Sequence, residues 1–222
     1  MRRKSRNPEK TREKILREAT AEFAARSYDG ARVDSIARRC RLSKNMLYHY
    51  FGSKEGLFIA VLEHMYETFR KRQRDFAARA GDPVKAMRQL VEHTFSALLD
   101  HPEVIALLNS ENLHHGRHIK RSRRVRNLYD PLVDTIREVL RRGVADGVFR
   151  PNIDPVTLYI SFSSMAYHYI SNQYTLRAIF DVDFGTSERR RAWLNHIGDM
   201  VLAYCAADRG AQTAGPRSAA GE

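Results

Sequence analysis

The sequence predicts an all-α protein of about nine helices. Apolar residues recur at spacings of three and four, as in Ile15, Ala19 and Phe23, which places them on one helical face. The alternation of apolar and polar residues that marks half-buried strands persists nowhere in the 222 residues. Helix-start signals such as Ser43 and Asp82-Pro83 stand directly before the periodic segments. Together these observations argue against a sheet-based fold.

Four of the nine helices are expected in the first 80 residues. Ser43 is the predicted N-cap of the third helix and Ser53 that of the fourth. On the fourth helix Leu57, Val61 and Met65 repeat every four residues, which indicates one buried face along its length. The predicted ranges are 10–26 for the first helix, 33–51 for the second and third together with their turn, and 54–79 for the fourth.

Five further helices follow, and proline marks the start of three of them. Because proline lacks a backbone N–H, the first helical position tolerates it best. Gly116 and the basic residues after it precede the seventh helix, and Ser187 is the predicted cap of the ninth. The expected positions are a fifth helix opening at Asp82-Pro83, a sixth over 102–115, a seventh after Gly116, an eighth over 154–180 and a ninth over 188–206.

The charge is strongly basic and unevenly distributed. The formal net charge is +12, and residues 1–56 hold 15 of the 38 basic residues but only 7 of the 26 acidic ones. A second basic concentration lies in 117–150, with 10 basic and 4 acidic residues. Such asymmetry favours a polyanionic partner, and the N-terminal position favours nucleic acid.

Several classes of protein are excluded by composition. No apolar run reaches 18 residues, so no membrane-spanning segment or membrane partner is expected. The basic start of the chain has no apolar stretch behind it, unlike a secretory signal. Two cysteines, Cys40 and Cys205, cannot form a disulfide framework. A cytoplasmic location is the resulting expectation.

Residues 33–51 predict two short helices joined by a tight turn. On the second of them Leu47, Tyr50 and Phe51 share one face at spacings of three and four, so this face must point inward. The opposite face carries side chains that can bind base edges or phosphates in a DNA major groove. Ser43 leaves the helix start polar, which also favours phosphate. The outward residues are Lys44, Asn45, Tyr48 and His49.

Residues 10–62 resemble the N-terminal DNA-binding region of TetR-family transcriptional regulators. The match is the segment from Ser43 to Phe58, which reads Ser-Lys-Asn-Met-Leu-Tyr-His-Tyr-Phe-Gly-Ser-Lys-Glu-Gly-Leu-Phe. Phe23 and the Tyr28-Asp29-Gly30 turn also fit the family. The resemblance implies that Tyr48 and Lys54 bind phosphates, and that the groove is contacted by Lys44, Asn45 and His49.

One position departs from the family pattern. The turn residue before Leu42 is usually glycine in the family and is Arg41 here. If this residue needs a positive φ, its side chain costs about 1 kcal/mol. Either the turn is altered, or Arg41 adds a phosphate contact.

The predicted organisation has four parts. A basic disordered arm, which either follows the DNA or is a free tail, precedes the helix-turn-helix domain. A ligand-binding and dimerisation domain follows, and the Ala-, Gly-, Pro- and Ser-rich end of the chain is expected to be disordered. The corresponding ranges are 1–9, 10–56, 57–206 and 207–222.

The eighth helix is apolar on two sides. One stripe contains Ile160 and Tyr167, and the other contains Phe162 and Tyr169. Both sides of the helix must therefore pack against protein, one against the domain's own core and the other, we expect, against a second subunit. The family resemblance implies a homodimer joined by a four-helix interface, on a pseudo-palindromic operator. The residues predicted for this interface are Phe162, Met165, Tyr169, Trp193, Ile197, Val201 and Tyr204; core packing is the alternative for Trp193.

Polar residues on apolar helical faces are the candidates for an effector pocket in the body. The C-terminal half weakly resembles the pyrimidine-utilisation regulator and aromatic-acid catabolic repressors, which implies an aromatic or heterocyclic effector. The candidates are Asn109, Asn112, His114, Tyr159, Ser163, Tyr167, His168 and Tyr174. The basic block 117–126 either binds an effector carboxylate or is a solvated surface.

Two rival interpretations concern the histidines. Glu111 and His114 match the Glu-x-x-His spacing of di-iron helix bundles, but the sequence contains no second such motif. His114, His115 and His118 offer helical spacings for a metal sensor. The prediction is a DNA-binding repressor that is not an enzyme, has no cofactor and is released by a small effector. The alternative is a metal-sensing or ligand-independent regulator of the same fold, and an activator role stays open.

Overall fold

The computed structural model describes residues 7–77, 81–127 and 130–207, and it is all-helical as predicted. Eleven α-helices are present in these residues, two more than expected, with one short 3-10 helix over Ile119–Arg121. The arm residues 1–6 and the tail residues 208–222 lie outside the described residues. The helices are α1 (Pro8–Gly30), α2 (Val33–Cys40), α3 (Lys44–Phe51), α4 (Lys54–Ala77), α5 (Pro83–Asp100), α6 (Pro102–Leu113), α7 (Arg123–Asn127), α8 (Asp130–Ala145), α9 (Pro155–Ser171), α10 (Gln173–Phe180) and α11 (Ser187–Cys205).

One additional helix arises by division of a predicted helix, and the other forms in a stretch for which no helix is predicted. The expected eighth helix ends at Ser171, and Asn172 separates α9 from α10. The backbone of Asn172 lies outside the helical region, and its side-chain amide donates to the carbonyl of His168. Asn172 is therefore the C-cap of α9. The basic stretch after Gly116, which is predicted only to precede the seventh helix, itself forms the short helix α7 before α8 begins.

The N-terminal domain packs α1, α2 and α3 around an apolar centre that α4 completes. Phe23 of α1 and Phe58 of α4 meet edge to face, with ring centroids 4.8 Å apart. Ile15, Ile36 and Leu47 are fully or almost fully buried beside them. Because α4 contributes to this centre and also packs on α5 and α8, it is shared by the two domains.

The body is built around α5. This helix packs against α4, α8, α9 and α11, and buries Met87, Leu90 and Phe95. Buried apolar residues form one continuous core from α1 to α11. A movement of one helix in the body therefore has a packed route to the N-terminal domain.

No helix in the described part of the chain has the length and apolar composition needed to cross a bilayer.

Candidate DNA interface and effector cavity

The turn between α2 and α3 has the geometry of a helix-turn-helix. Arg41 caps α2 in the left-handed conformation, with φ 55° and ψ 45°. The residue at this position therefore has a positive φ although it is not glycine. Ser43 then caps α3, its hydroxyl accepting the N–H of Met46 at 3.3 Å. Leu47 is buried, while Tyr50 and Phe51 pack half-buried against the core.

The opposite face of α3 is open to solvent. Lys44, Asn45 and His49 are exposed and Tyr48 is half-buried. Lys44 Nζ lies 3.1 Å from Asp34 Oδ2 and 5.9 Å from the centre of the Tyr48 ring. The hydrogen bond to Asp34 raises the pKa of Lys44, and the Lys44 side chain remains 45% exposed.

Lys54 begins α4 beside the α1–α2 turn. Its ammonium donates to the carbonyl oxygen of Asp29 at 3.2 Å and lies 4.9 Å from the centre of the Tyr28 ring. Burial lowers the pKa of Lys54, an effect that the nearby carboxylates of Asp29 and Glu22 oppose. The side chain is thus held in place before any DNA is bound.

A cavity of about 390 Å³ lies in the body between α4, α5, α6 and α9. Four predicted effector residues line it: Tyr159, Ser163, Tyr167 and His168. The Tyr167 hydroxyl donates to Oδ1 of Asn109, an exposed residue of α6 that does not itself line the cavity. Burial raises the pKa of Tyr167, so this hydroxyl keeps its proton at neutral pH. The remaining lining residues are Met65, Tyr66, Thr94, Leu98, Val104, Leu108 and Ser164.

Three of the predicted effector residues lie elsewhere. Asn112 is exposed at the end of α6, and Tyr174 is 79% exposed on α10. His114 contacts the N-terminal domain instead, with its Nε2 3.3 Å from Asp29 Oδ2. Prediction missed the apolar wall, including Met65 and Leu98, because helical periodicity marks such residues only as buried.

The histidines of the rival interpretations have protein partners. His118 Nδ1 lies 2.6 Å from Glu111 Oε2, and both side chains are buried. His114 pairs with Asp29, while His115 is exposed with a positive φ of 56°. Across residues 7–77, 81–127 and 130–207, no three His, Cys, Asp or Glu side chains are grouped as metal ligands would be.

The basic block 117–126 packs along α4. Arg121 Nη1 lies 2.6 Å from Glu55 Oε2, and Arg124 forms an ion pair with Glu67. Between them, the Ser122 hydroxyl donates to Glu63 Oε1 at 2.6 Å. Among the side chains of this block that the structure describes, none lines the cavity between α4, α5, α6 and α9. These ion pairs attach the α6–α8 connection to the helix that both domains share.

Four residues predicted for a subunit interface belong to the protomer's own core. Phe162, Tyr169, Ile197 and Val201 are at most 4% exposed, so they have almost no surface to offer a partner, and that part of the prediction is corrected. Trp193 stacks on Tyr169 with ring centroids 5.1 Å apart and donates to the carbonyl of Met165. Met165 and Trp193 are partly buried in this contact, and Tyr204 is 51% exposed.

The other apolar stripe of α9 is divided, since Tyr167 lines the cavity whereas the side chains nearer the start of the helix face solvent. Val156 and Ile160 are 44% and 56% exposed, and Met200 and Tyr204 on α11 are exposed to a similar degree. Helices α9 and α11 pack against each other. Two neighbouring helices thus present apolar side chains to solvent.

An N-terminal helix-turn-helix beside an all-helical domain is the architecture of a DNA-binding transcriptional regulator. Residues 15–61 match the model of bacterial regulatory proteins of the tetR family, and residues 83–201 match the tetracyclin repressor-like C-terminal domain. The chain belongs to the TetR family of transcriptional regulators.

Individual relatives agree with this membership. The transcriptional repressor NicS of Pseudomonas putida is 35% identical over 87% of this chain and 92% of its own length. The repressor SCO4008 of Streptomyces coelicolor is 30% identical over 67% of this chain and 75% of its own.

Solved structures give the same fold. The transcriptional regulator SCO4942 of Streptomyces coelicolor aligns with a TM-score of 0.66 and 26% identity, covering 86% of this chain and 97% of that one. The ketosteroid regulator KstR2 of Mycobacterium tuberculosis aligns with a TM-score of 0.63 and 20% identity, over 91% of this chain and 97% of that one.

Proposed function

We propose that the protein is a homodimeric repressor that binds a pseudo-palindromic operator and is released by a small aromatic or heterocyclic effector. The observation that supports this most strongly is the joint presence of an exposed polar face on α3 and a cavity in the body. Both named curated relatives are repressors. No step of this function needs a cofactor or an enzymatic reaction.

Sequence readout is assigned to α3. Asn45 and His49 are exposed and able to reach base edges, and asparagine pairs well with adenine. Tyr48, Lys44 and Lys54 are assigned to phosphates, with Ser43 and Arg41 at the helix start and the turn. Phosphate contacts position the protein, whereas the base contacts select the sequence.

The effector is assigned by the chemistry of the cavity wall. Tyr159 and Tyr167 provide aromatic surface, while Ser163, Ser164 and His168 provide hydrogen-bonding groups among apolar neighbours. A volume of about 390 Å³ is at the small end of ligand sites. A single substituted ring fits this wall better than a long chain.

Release follows from a change in the shared helix. Met65 and Tyr66 of α4 line the cavity, and Lys54 begins the same helix. An effector that binds more tightly to a tilted α4 would separate the two recognition helices of the dimer and weaken operator binding. Dimerisation is assigned to the exposed apolar side chains of α9 and α11.

Operator titration tests the proposal. DNA selected from a random pool by the wild-type protein is titrated by fluorescence anisotropy at fixed salt. Tyr48→Ala and Lys54→Ala should each weaken binding about tenfold on every sequence, because each removes phosphate contacts. Asn45→Ala should also change the preferred base at one position. Lys85→Ala, an exposed charge on α5, is the matched control. Unchanged binding in the first three variants would refute the assignment.

A thermal-shift screen tests the effector and its alternative together. Aromatic acids, pyrimidines and divalent metals are compared on the full chain, because a ligand that binds only the folded state stabilises it. Stabilisation by a ring compound supports the proposal. Stabilisation by a metal alone would support the metal-sensing regulator instead.

A further inference from the structure

Tyr28 lies where the N-terminal domain meets the body. Its ring packs 5.0 Å from Phe58 and 4.5 Å from His118, measured between centroids. The preceding residue, Ser27, has φ 56° and ψ 178°, a conformation that is costly for a residue with a side chain. Helix α1 is thus kinked at Ser27, and Tyr28, just after the kink, packs against the body.

One turn of α6 connects this ring to the effector cavity. Leu108 lines the cavity, and Asn109 accepts the hydroxyl of Tyr167 in its wall. The next residue, Ser110, accepts the backbone N–H of Tyr28 at 2.9 Å. Consecutive residues of a single helical turn therefore contact the cavity on one side and the N-terminal domain on the other.

The following residue anchors the end of α6. Glu111 Oε2 lies 2.6 Å from His118 Nδ1, and its Oε1 accepts the backbone N–H groups of His118 and Ile119 at 2.9 and 3.0 Å. Glu111 is 2% exposed and His118 is fully buried. A buried, fully bonded pair of this kind moves with α6 as one unit.

Two cations from different domains meet at the ring of Tyr28. Lys54 Nζ lies 4.9 Å from the ring centre, and the guanidinium carbon of Arg117 lies 5.5 Å from it. Lys54 also donates to the carbonyl of Asp29, the next residue in the chain. The position of the Lys54 ammonium is therefore set by Tyr28 and Asp29.

We propose that Tyr28 is a positioning residue for DNA binding: it holds Lys54 ready for an operator phosphate, and Ser110 of α6 sets the position of Tyr28. This inference rests on the proposed function, since it assumes that Lys54 contacts phosphate. If effector binding in the cavity shifts α6, this shift would release Lys54 directly, in addition to any tilt of α4.

The experiment measures operator affinity against salt concentration, over about 50 to 200 mM, for the full-length dimer. Each lost phosphate contact lowers the slope of log K against log salt by about one unit, hence by about two units in a symmetric dimer. A substitution that only destabilises the fold would not remove a phosphate contact, so this slope separates positioning from structure. Thermal unfolding by circular dichroism verifies that each variant is folded.

Four variants address Tyr28 and Lys54. Tyr28→Leu should lower the slope as Lys54→Ala does, and the double variant should show no further loss. Tyr28→Phe keeps the ring and should recover most of the slope. Two results would overturn the inference and leave the proposed function intact. In the first, the decrease in slope of the double variant equals the sum of the decreases of the two single variants. In the second, Tyr28→Leu keeps the wild-type slope while Lys54→Ala lowers it. A wild-type slope in Lys54→Ala would refute the phosphate contact itself.

One uncharged substitution on α6 and a control on α9 test the part of the inference that concerns α6, and both leave the Tyr28 ring in place. Ser110→Ala removes the acceptor for the Tyr28 N–H and should lower the slope by about half a unit per half-site. Ser161→Ala, an exposed hydroxyl of α9, is its matched control and should leave the slope unchanged. Equal slopes for these two variants would overturn the part assigned to α6.

Discussion

The DNA-binding domain and the body differ in how their sites are assembled. The predicted DNA-contacting residues lie within Arg41–Lys54, on one turn, one helix and the start of the next. The cavity is assembled from α4, α5, α6 and α9, which span more than 100 positions of sequence. A site made from neighbouring residues can be recognised from their spacing, whereas a site made from distant helices depends on how those helices pack.

The two regions also use their positive charge differently. On α3, Lys44 pairs with the exposed Asp34, which leaves the ammonium accessible to a phosphate. In the body, Arg121 and Arg124 pair with acidic residues of α4. The first arrangement supports binding to a polyanion, and the second attaches one segment of the protein to another.

The largest expected effect concerns the apolar face of the body. Ile160→Glu places a charge on the exposed stripe of α9, and symmetry repeats it in the partner, so dimerisation should weaken about 100-fold or more. Light scattering at micromolar concentration measures this. Ile179→Glu makes the same change on α10 and should leave the dimer intact. If the Ile160→Glu variant is still a dimer, α9 does not form the subunit interface.

The next prediction separates the cavity from the DNA-binding face. Ser163→Phe should fill the cavity and abolish stabilisation by the best ring compound of the thermal-shift screen, about 2.7 kcal/mol at a hundredfold excess over its Kd. Operator affinity without effector should change little. Ser161→Phe adds the same ring on the exposed side of α9 and serves as the control. Full stabilisation of Ser163→Phe would place the effector elsewhere.

A smaller effect is expected in the helix-turn-helix. Arg41→Gly relieves the left-handed backbone of a residue with a side chain and should stabilise the fold by about 1 kcal/mol. Arg38→Gly, inside α2, should destabilise it by about the same amount. Urea unfolding of both variants compares them. Two changes of the same sign would contradict the conformational explanation.

The smallest effect concerns pH. Burial raises the pKa of the Cys205 thiol to about 11, above its ordinary value of 9.0. Because the folded state holds this proton more tightly, its contribution to stability is complete below pH 9 and is lost as the pH rises toward 11. Between pH 8 and 10 the wild type should lose up to about 1 kcal/mol more than Cys205→Ala in urea unfolding. An equal loss in both proteins would contradict this burial effect.

The sequence by itself determined the fold class and which side of α3 faces solvent. The face on α3 follows from Leu47 and its neighbours at spacings of three and four, since only one side of so short a helix can be inward. At Arg41, where the family usually has glycine, the sequence left open whether the turn keeps a positive φ, and the structure shows that it does.

Only the tertiary structure decided which side of α9 is inward. Because both of its stripes are apolar, periodicity alone does not tell whether Phe162 or Ile160 is buried. Packing of α9 against α5 and α11 buries Phe162. The environment of His114 also depends on tertiary structure, because its partner Asp29 is 85 positions away in sequence. Local spacing specifies the direction of side chains around one helix, and the contacts between helices determine which direction is buried.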